Sequence, residues 1–226
     1  MTSVGQVMRV AAALTSIPPK PRTKRAALAA DVLRRGITPT RVNQWFPVSD
    51  VQLNAPVRPG KIIAIGRNYA EHAKETGSDL PPAPIIFSKF PSAVIGPKET
   101  VTWSSSITTQ VDWETELAVV IGRRTRNVSE EDALNHVFGY TVANDVSARD
   151  LQIRIDSQWT RGKSLDTFCP LGPCIVTRSE IPDVQNLRLW TKINDEIVQD
   201  SNTQHMIFNV VHLISYCSRM FTLEPG

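Results

Sequence analysis

Carboxylates recur at every second position of Asp112-Trp113-Glu114-Thr115-Glu116, and the apolar run Leu117-Ala118-Val119-Val120-Ile121 follows directly. Side chains i, i+2 and i+4 of an extended strand share one face, so the spacing predicts three negative charges side by side. Crowding of that kind calls for a cation. Oxygen ligands suit Mg²⁺, Mn²⁺ or Ca²⁺, whereas Zn²⁺ favours His and Cys. Taken alone, the run reads equally well as a solvated strand edge, where short acidic alternations are common. A second acidic segment sharpens the choice: an apolar stretch over 139–144 ends in Asp145, with Arg149 and Gln152 four and seven residues on. A helix beginning at Asp145 would set these three on one face, although Arg149 could instead pair with Asp150 or another surface acid. His72 and Glu75 stand three apart in a stretch that reads as helical. Such a pair can activate water, and the same spacing is common on surface helices.

These residues need a frame. Beyond Gly60 the chain alternates short strands and helices, with strands expected over 61–66, 85–89, 117–121 and 139–145. Ser129 opens a helix in which Asp132 takes the Glu/Gln position of a capping box, and Glu130 and Glu131 suit its positive end. Strands over 187–193 and 196–199 form a hairpin across Asn194-Asp195, two residues that tolerate positive φ. A helix over 209–220 carries Val210, Leu213, Ile214 and Cys217 on one side. The class is α+β and sheet-rich.

The first thirty residues hold Arg9, Lys20, Arg22, Lys24 and Arg25 before the first acid, Asp31, a composition that permits a mitochondrial transit peptide. A helix is expected over 26–35, with Gly36 as its stop. The four prolines between 37 and 60 mark an irregular connection, so 1–60 is an N-terminal segment and 61–226 the main domain. A formal charge of +3, with no Lys/Arg patch interleaved with aromatics, argues against nucleic acid, and no apolar run is long enough to span a bilayer. Cys169, Cys174 and Cys217 are odd in number and lack Cys-x-x-Cys spacing, as free thiols of a reducing, intracellular compartment would be. His136, His205 and His212 lack metal-ligand spacing, and Trp103, Trp113, Trp159 and Trp190 read as core or interface aromatics.

Five motifs in order extend the reading: Gly66-Arg67-Asn68-Tyr69-Ala70-Glu71-His72, Ile85-Ile86-Phe87-Ser88-Lys89, Asp145-Val146-Ser147-Ala148-Arg149-Asp150, Gly162-Lys163-Ser164 and Phe168-Cys169-Pro170-Leu171-Gly172-Pro173. Over about residues 57–226 the chain resembles the fumarylacetoacetate hydrolase superfamily, and looks closest to its domain-containing proteins of the type 2 group. That resemblance implies a mixed β-sandwich roll, usually paired as a homodimer. It implies Glu114, Glu116 and Asp145 as ligands of Mg²⁺ or Mn²⁺, with Ca²⁺ as a further fit, and Asp112 just outside them. His72 and Glu75 become a catalytic dyad on a lid, and Lys163 stabilises developing negative charge or binds substrate oxygens. Arg149, Gln152, Arg67 and Tyr69 face the substrate, though Arg67 and Tyr69 could equally be structural. The substrate implied is a small dicarbonyl or 2-oxo acid. Its reaction passes through a metal-stabilised enolate, as acylpyruvate-type C–C hydrolysis or oxaloacetate decarboxylation or tautomerisation, with an isomerase or hydratase of aromatic catabolism as neighbour.

The resemblance has one departure. The sequence stops at Thr222-Leu223-Glu224-Pro225-Gly226, where relatives continue through an Asp and a strand into a Thr-Gly-Thr-Pro segment. The domain is therefore expected to be incomplete at the C-terminus, with a sheet edge and apolar surface uncovered. The N-terminal segment could equally be a reduced form of the family's variable N-terminal domain. The alternative function is a truncated relative without turnover, a dimerising or regulatory partner, and the expected location is cytoplasmic or mitochondrial.

Overall fold

The computed structural model describes residues 47–71 and 79–226. The expected helix over 26–35, the first thirty residues and the His72/Glu75 pair lie outside them. After a single 3₁₀ turn, Val48–Asp50, the chain forms β1 (Ile62–Gly66) and β2 (Ile85–Lys89), which pair antiparallel from Ile62↔Lys89 to Gly66↔Ile85. A four-stranded sheet follows in the order β3 (Val94–Ile95), β8 (Cys169–Thr177), β6 (Val137–Asn144), β5 (Thr115–Ile121). Its β5/β6 ladder runs antiparallel from Thr115↔Asn144 to Ile121↔Val137 and leaves β5 at the sheet edge. Two small pairs complete the strands, β4 (Val111–Asp112) with β7 (Ser147–Ala148), and β9 (Arg188–Ile193) with β10 (Glu196–Asn202). The result is α+β and sheet-rich, as expected.

The main core forms where β6 meets the C-terminal helix, α3 (Val210–Met220). Val210, Ile214 and Cys217 recur at helical spacing and pack with Val137 and Tyr140. Asn209 caps that helix by accepting from the His212 N–H. A smaller cluster of Val101, Val146, Ala148 and Phe168 includes the residue that follows Asp145. Among the described residues no helix is long and apolar enough to cross a membrane.

Three local expectations are corrected. The acidic strand is not continuous: β4 ends at Asp112 and β5 begins at Thr115. Side chains divert the backbone donors there, because Asp112 Oδ1 accepts the Trp113 N–H at 2.9 Å and Asn144 Oδ1 accepts the Glu114 N–H at 3.1 Å. No helix starts at Asp145; β7 intervenes, and a π-type turn follows over Asp150–Arg154. Ser129 heads α1 (Glu130–Ala133) without a side-chain cap, and Asp132 accepts from Asn135 Nδ2 at 2.6 Å rather than reaching back to Ser129. A true capping box occurs at Thr177 and Glu180, a Thr-x-x-Glu pattern sequence reading passed over.

The hairpin is as expected, with Asn194 and Asp195 at φ of 49° and 80° and Glu196 opposite Ile193. All three cysteines are free thiols. Burial pushes Cys169 and Cys217 up to about 11, so both remain protonated near neutrality.

Candidate metal and substrate site

Glu114, just before β5, and Asp145, just after β6, meet because the Asp145 N–H donates to the Glu114 carbonyl at 2.7 Å. The ladder thus brings together acids thirty-one residues apart. Lys163 reaches the gap between them from the end of α2 (Thr160–Lys163), its Nζ donating to Glu114 Oε2 at 2.5 Å and Asp145 Oδ2 at 2.8 Å. Lys89, at the end of β2, donates to Asp145 Oδ1 at 2.7 Å, to the Val146 carbonyl at 3.2 Å and to the Lys163 carbonyl. Both lysines are buried. Sequence reading gave Lys89 no role. It stood within one of the five ordered motifs, but nothing local set it apart from a Lys closing an apolar strand, and its contact with Asp145 joins β2 to the end of β6.

Arg149 joins the cluster by another route than a helix face. Its guanidinium donates to Asp112 Oδ2 at 2.6 and 2.9 Å, to Glu114 Oε1 at 2.7 Å and to Gln152 Oε1 at 2.9 Å. Asp112 therefore holds Arg149 beside the acids, and Asp150, the pairing partner considered for Arg149, instead accepts from Thr108 Oγ1 at 2.6 Å. Gly162 permits this assembly: a Cβ there would lie 2.6 Å from the Ala148 carbonyl and 2.7 Å from the Gln152 nitrogen. Gly162→Ala is accordingly expected to push α2 outward, lowering stability by about 1–3 kcal/mol in urea unfolding and withdrawing Lys163 from the acids. Unchanged stability would contradict this close contact.

Four carboxylates, Asp112, Glu114, Glu116 and Asp145, stand here against three cations, Lys89, Lys163 and Arg149. Glu116 is the acid without a cation partner among the described residues. Burial, then the charges of Glu114 and Asp145, push it up to about 8, against a smaller pull from Lys163. Its half-buried side chain lines a partly open cavity. Burial alone would raise Glu114 too, but Lys163 and Arg149 outweigh it and hold that carboxyl below its ordinary value. Burial disfavours charge on Lys163, yet Asp145 and Glu114 keep it above the usual lysine range.

The cavity is about 610 Å³ and lies between β1 and β5, within the size range of small-molecule sites. Tyr69, Lys89, Glu116, Thr141 and Asp145 line its polar end, and the remainder is mainly aliphatic. The Tyr69 hydroxyl and Thr141 Oγ1 are buried without a hydrogen-bond partner among the described residues. Burial, then the charge of Glu116, push the Tyr69 phenol up, so it stays a neutral donor. Arg67, at φ 51°, is exposed with its guanidinium 5.5 Å above the Trp159 ring.

No three His, Cys, Asp or Glu side chains among the described residues are gathered tightly enough to hold an ion as they stand. The Lys163 ammonium lies between Glu114 and Asp145, and Lys89 and Arg149 hold their other oxygens. The donor chemistry nevertheless fits a hard divalent cation: carboxylate oxygens, those of Glu116 without a counter-charge among the described residues, near the Tyr69 hydroxyl.

Residues 61–226 match the family described as Fumarylacetoacetate (FAA) hydrolase C-terminal. The chain belongs to the fumarylacetoacetate hydrolase family. Among its relatives, it is 47% identical over 193 residues to the fumarylacetoacetate hydrolase domain-containing protein 2 homolog of Dictyostelium discoideum, covering 81% of this chain and 63% of that one. It is 48% identical over 183 residues to the mitochondrial oxaloacetate tautomerase FAHD2A of Bos taurus, covering 80% and 58%. The chain thus spans about three fifths of the length of these curated relatives. Among solved structures, 5-carboxymethyl-2-hydroxymuconate delta-isomerase from Mycobacterium smegmatis superposes with a TM-score of 0.73 at 42% identity, covering 82% of this chain and 72% of that one.

Proposed function

We propose that this chain acts as a divalent-metal-dependent enzyme on a small 2-oxo acid, with keto–enol tautomerisation of an oxaloacetate-like diacid as its leading reaction. The carrying observation is the carboxyl of Glu116, without a cation partner among the described residues, lining a cavity together with Lys89, Asp145 and Tyr69. The bovine relative's name, an oxaloacetate tautomerase, and the isomerase structure support a proton shift rather than a hydrolysis.

In this reading Glu114, Glu116 and Asp145 hold Mg²⁺ or Mn²⁺, with Ca²⁺ able to take the same oxygens, and Lys163 swings out of the gap. The bound ion would supply Lewis-acid polarisation of the substrate's keto group. Lys163, still tethered by α2, would then donate to the keto oxygen where negative charge develops. Arg149, oriented by Asp112 and Gln152, would face the substrate's acid end, and Arg67, braced on Trp159, would take its second carboxylate. The Tyr69 hydroxyl would donate to whichever oxygen lies beside Glu116. His72, oriented by Glu75, would move the proton at carbon. A homodimer in the mitochondrion or cytoplasm belongs to the same proposal, the location supported by the bovine relative's name.

The test is turnover of oxaloacetate and of acylpyruvates, with and without Mg²⁺, in the native chain and in His72→Ala and Lys163→Ala. Mg²⁺-dependent enol–ketone interconversion, reduced about 100-fold or more in each variant, is expected. Cleavage of acylpyruvate or loss of CO₂ without tautomerisation would replace the leading reaction by a C–C hydrolase or decarboxylase. Metal binding with no turnover at all would favour the dimerising or regulatory partner.

A further inference from the structure

Thr115 lies between Glu114 and Glu116 and is 1% exposed. In an antiparallel ladder alternate residues direct their backbone groups to opposite sides. Glu114 turns its carbonyl towards β6, where it accepts from Asp145, so the N–H and C=O of Thr115 point away from that strand at the sheet edge. Another strand would ordinarily meet them. Here a side chain does: Gln199 Oε1 accepts the Thr115 N–H at 2.8 Å, and Gln199 Nε2 donates to the Thr115 carbonyl at 3.0 Å. The backbone N–H can only donate and the carbonyl can only accept, so the amide's orientation is fixed without seeing a hydrogen.

The β9–β10 hairpin is built to deliver this group. A bulge between Ile197 and Gln199 adds Val198 to β10 and brings Gln199 opposite Thr191. Gln199 is half-buried while its neighbours Ile197, Val198 and Asp200 are exposed. The fully buried Thr191 donates from Oγ1 to Gln199 Oε1 at 2.9 Å, and its oxygen lies 2.5 Å from Thr115 Oγ1. With the Thr191 proton committed to the amide, Thr115 is the donor in that second contact.

We infer that Gln199 is a positioning residue for the cation site, its amide clamping both peptide units that join Glu114 to Glu116 so that the two carboxylates keep a fixed spacing. One unit is held through the Thr115 N–H and the other through the Thr115 carbonyl. The bond lies where the acidic strand is otherwise interrupted, after the gap at Trp113 and Glu114. Without it the first residue of β5 would have no partner on its outer side among the described residues, and the pair of acids would sit on a fraying strand end. This inference rests on the metal reading of Glu114, Glu116 and Asp145 given above.

The experiment is a Mn²⁺ titration followed by electron paramagnetic resonance, beside urea unfolding, on the full chain. Gln199→Met keeps length and bulk but removes every hydrogen bond to Thr115. Its Mn²⁺ affinity is expected to fall about tenfold, the scale for partners that orient metal ligands. Arg188→Ala, which removes the exposed pair with Asp200 on the same hairpin, is expected to leave the affinity within twofold of native. Thr191→Val, which removes the hydroxyl bond that supports the amide but leaves its two bonds to Thr115, is expected to lose about threefold and serves if Gln199→Met does not fold. Native affinity in both Gln199→Met and Thr191→Val, with a loss in Glu116→Gln, would overturn the clamp and leave the metal reading standing. No Mn²⁺ binding by the native chain would overturn both.

Discussion

Lys163→Met is expected to tighten Mn²⁺ binding while slowing turnover of the proposed 2-oxo acid by about 100- to 1,000-fold, the scale for removing a group aimed at developing negative charge. The two effects run in opposite directions because the ammonium has two places to be. In the structure it occupies the gap between Glu114 and Asp145, where it competes with any ion. During reaction it would face the substrate. Methionine matches its length but neither competes nor donates. The metal-free variant is also expected to lose about 3 kcal/mol or more in urea, the usual cost of breaking a buried ion pair from one side. Asp145 would keep Lys89, and Glu114 would keep Arg149, but four carboxyl groups would then face two cations. Saturating Mg²⁺ should recover most of that stability, since a ligand that binds only the native state stabilises it by mass action. Weaker Mn²⁺ binding in Lys163→Met would show that Lys163 arranges the acids rather than standing in for the ion. Unchanged turnover would remove it from the chemistry.

The parts of this site visible in the sequence are those written in local pattern. Glu114 and Glu116 declare themselves by period-two spacing before an apolar strand, and Asp145 by its place at the end of another. The Asn194-Asp195 turn is legible because two residues that accept positive φ separate two strand-like runs. What escaped depends on contacts between distant segments. Lys89 looks like an ordinary strand-ending lysine until β2 is laid against Asp145, fifty-six residues away. Gln199 is one polar residue in a polar strand, and the bulge that turns it inward has no signal in the order Ile197-Val198-Gln199. The interruption at Trp113 and Glu114 has the same origin. Period-two patterning assumes that backbone donors pair with backbone, and the side chains of Asp112 and Asn144 take them instead. Arg149 reaches Gln152 as predicted although the predicted helix is absent, and Asp112 and Glu114, rather than Asp145, hold its guanidinium.

Glu116 leads to the second large effect, a Mn²⁺ affinity that rises about 50-fold between pH 6 and pH 8 and levels above about pH 9. The carboxyl is raised from an ordinary value of 4.5 to about 8, first by burial and then by Glu114 and Asp145. A metal ligand must shed its proton, so below that value each pH unit costs about tenfold in affinity. The same shift sets the sign for stability of the metal-free chain. Through the window from 4.5 to about 8 the folded chain holds a proton that the unfolded chain has released. Glu116's contribution is therefore fully present below the lower end of that window and is lost as pH rises to the upper end. Urea unfolding without metal should show this contribution declining from pH 5 to pH 8, and the decline should shrink in Glu116→Gln, which carries no titrating proton. That variant should also lose the pH slope of Mn²⁺ binding, along with about 100-fold or more of the affinity at pH 8, at least the upper scale for outer-shell partners. If the native affinity were flat across pH 6 to 8, Glu116 would be ionised in the free protein and the charge excess assigned to it would lie elsewhere. If the slope persisted in Glu116→Gln, another group would carry the proton, and Glu116 would no longer be the acid that an ion must discharge.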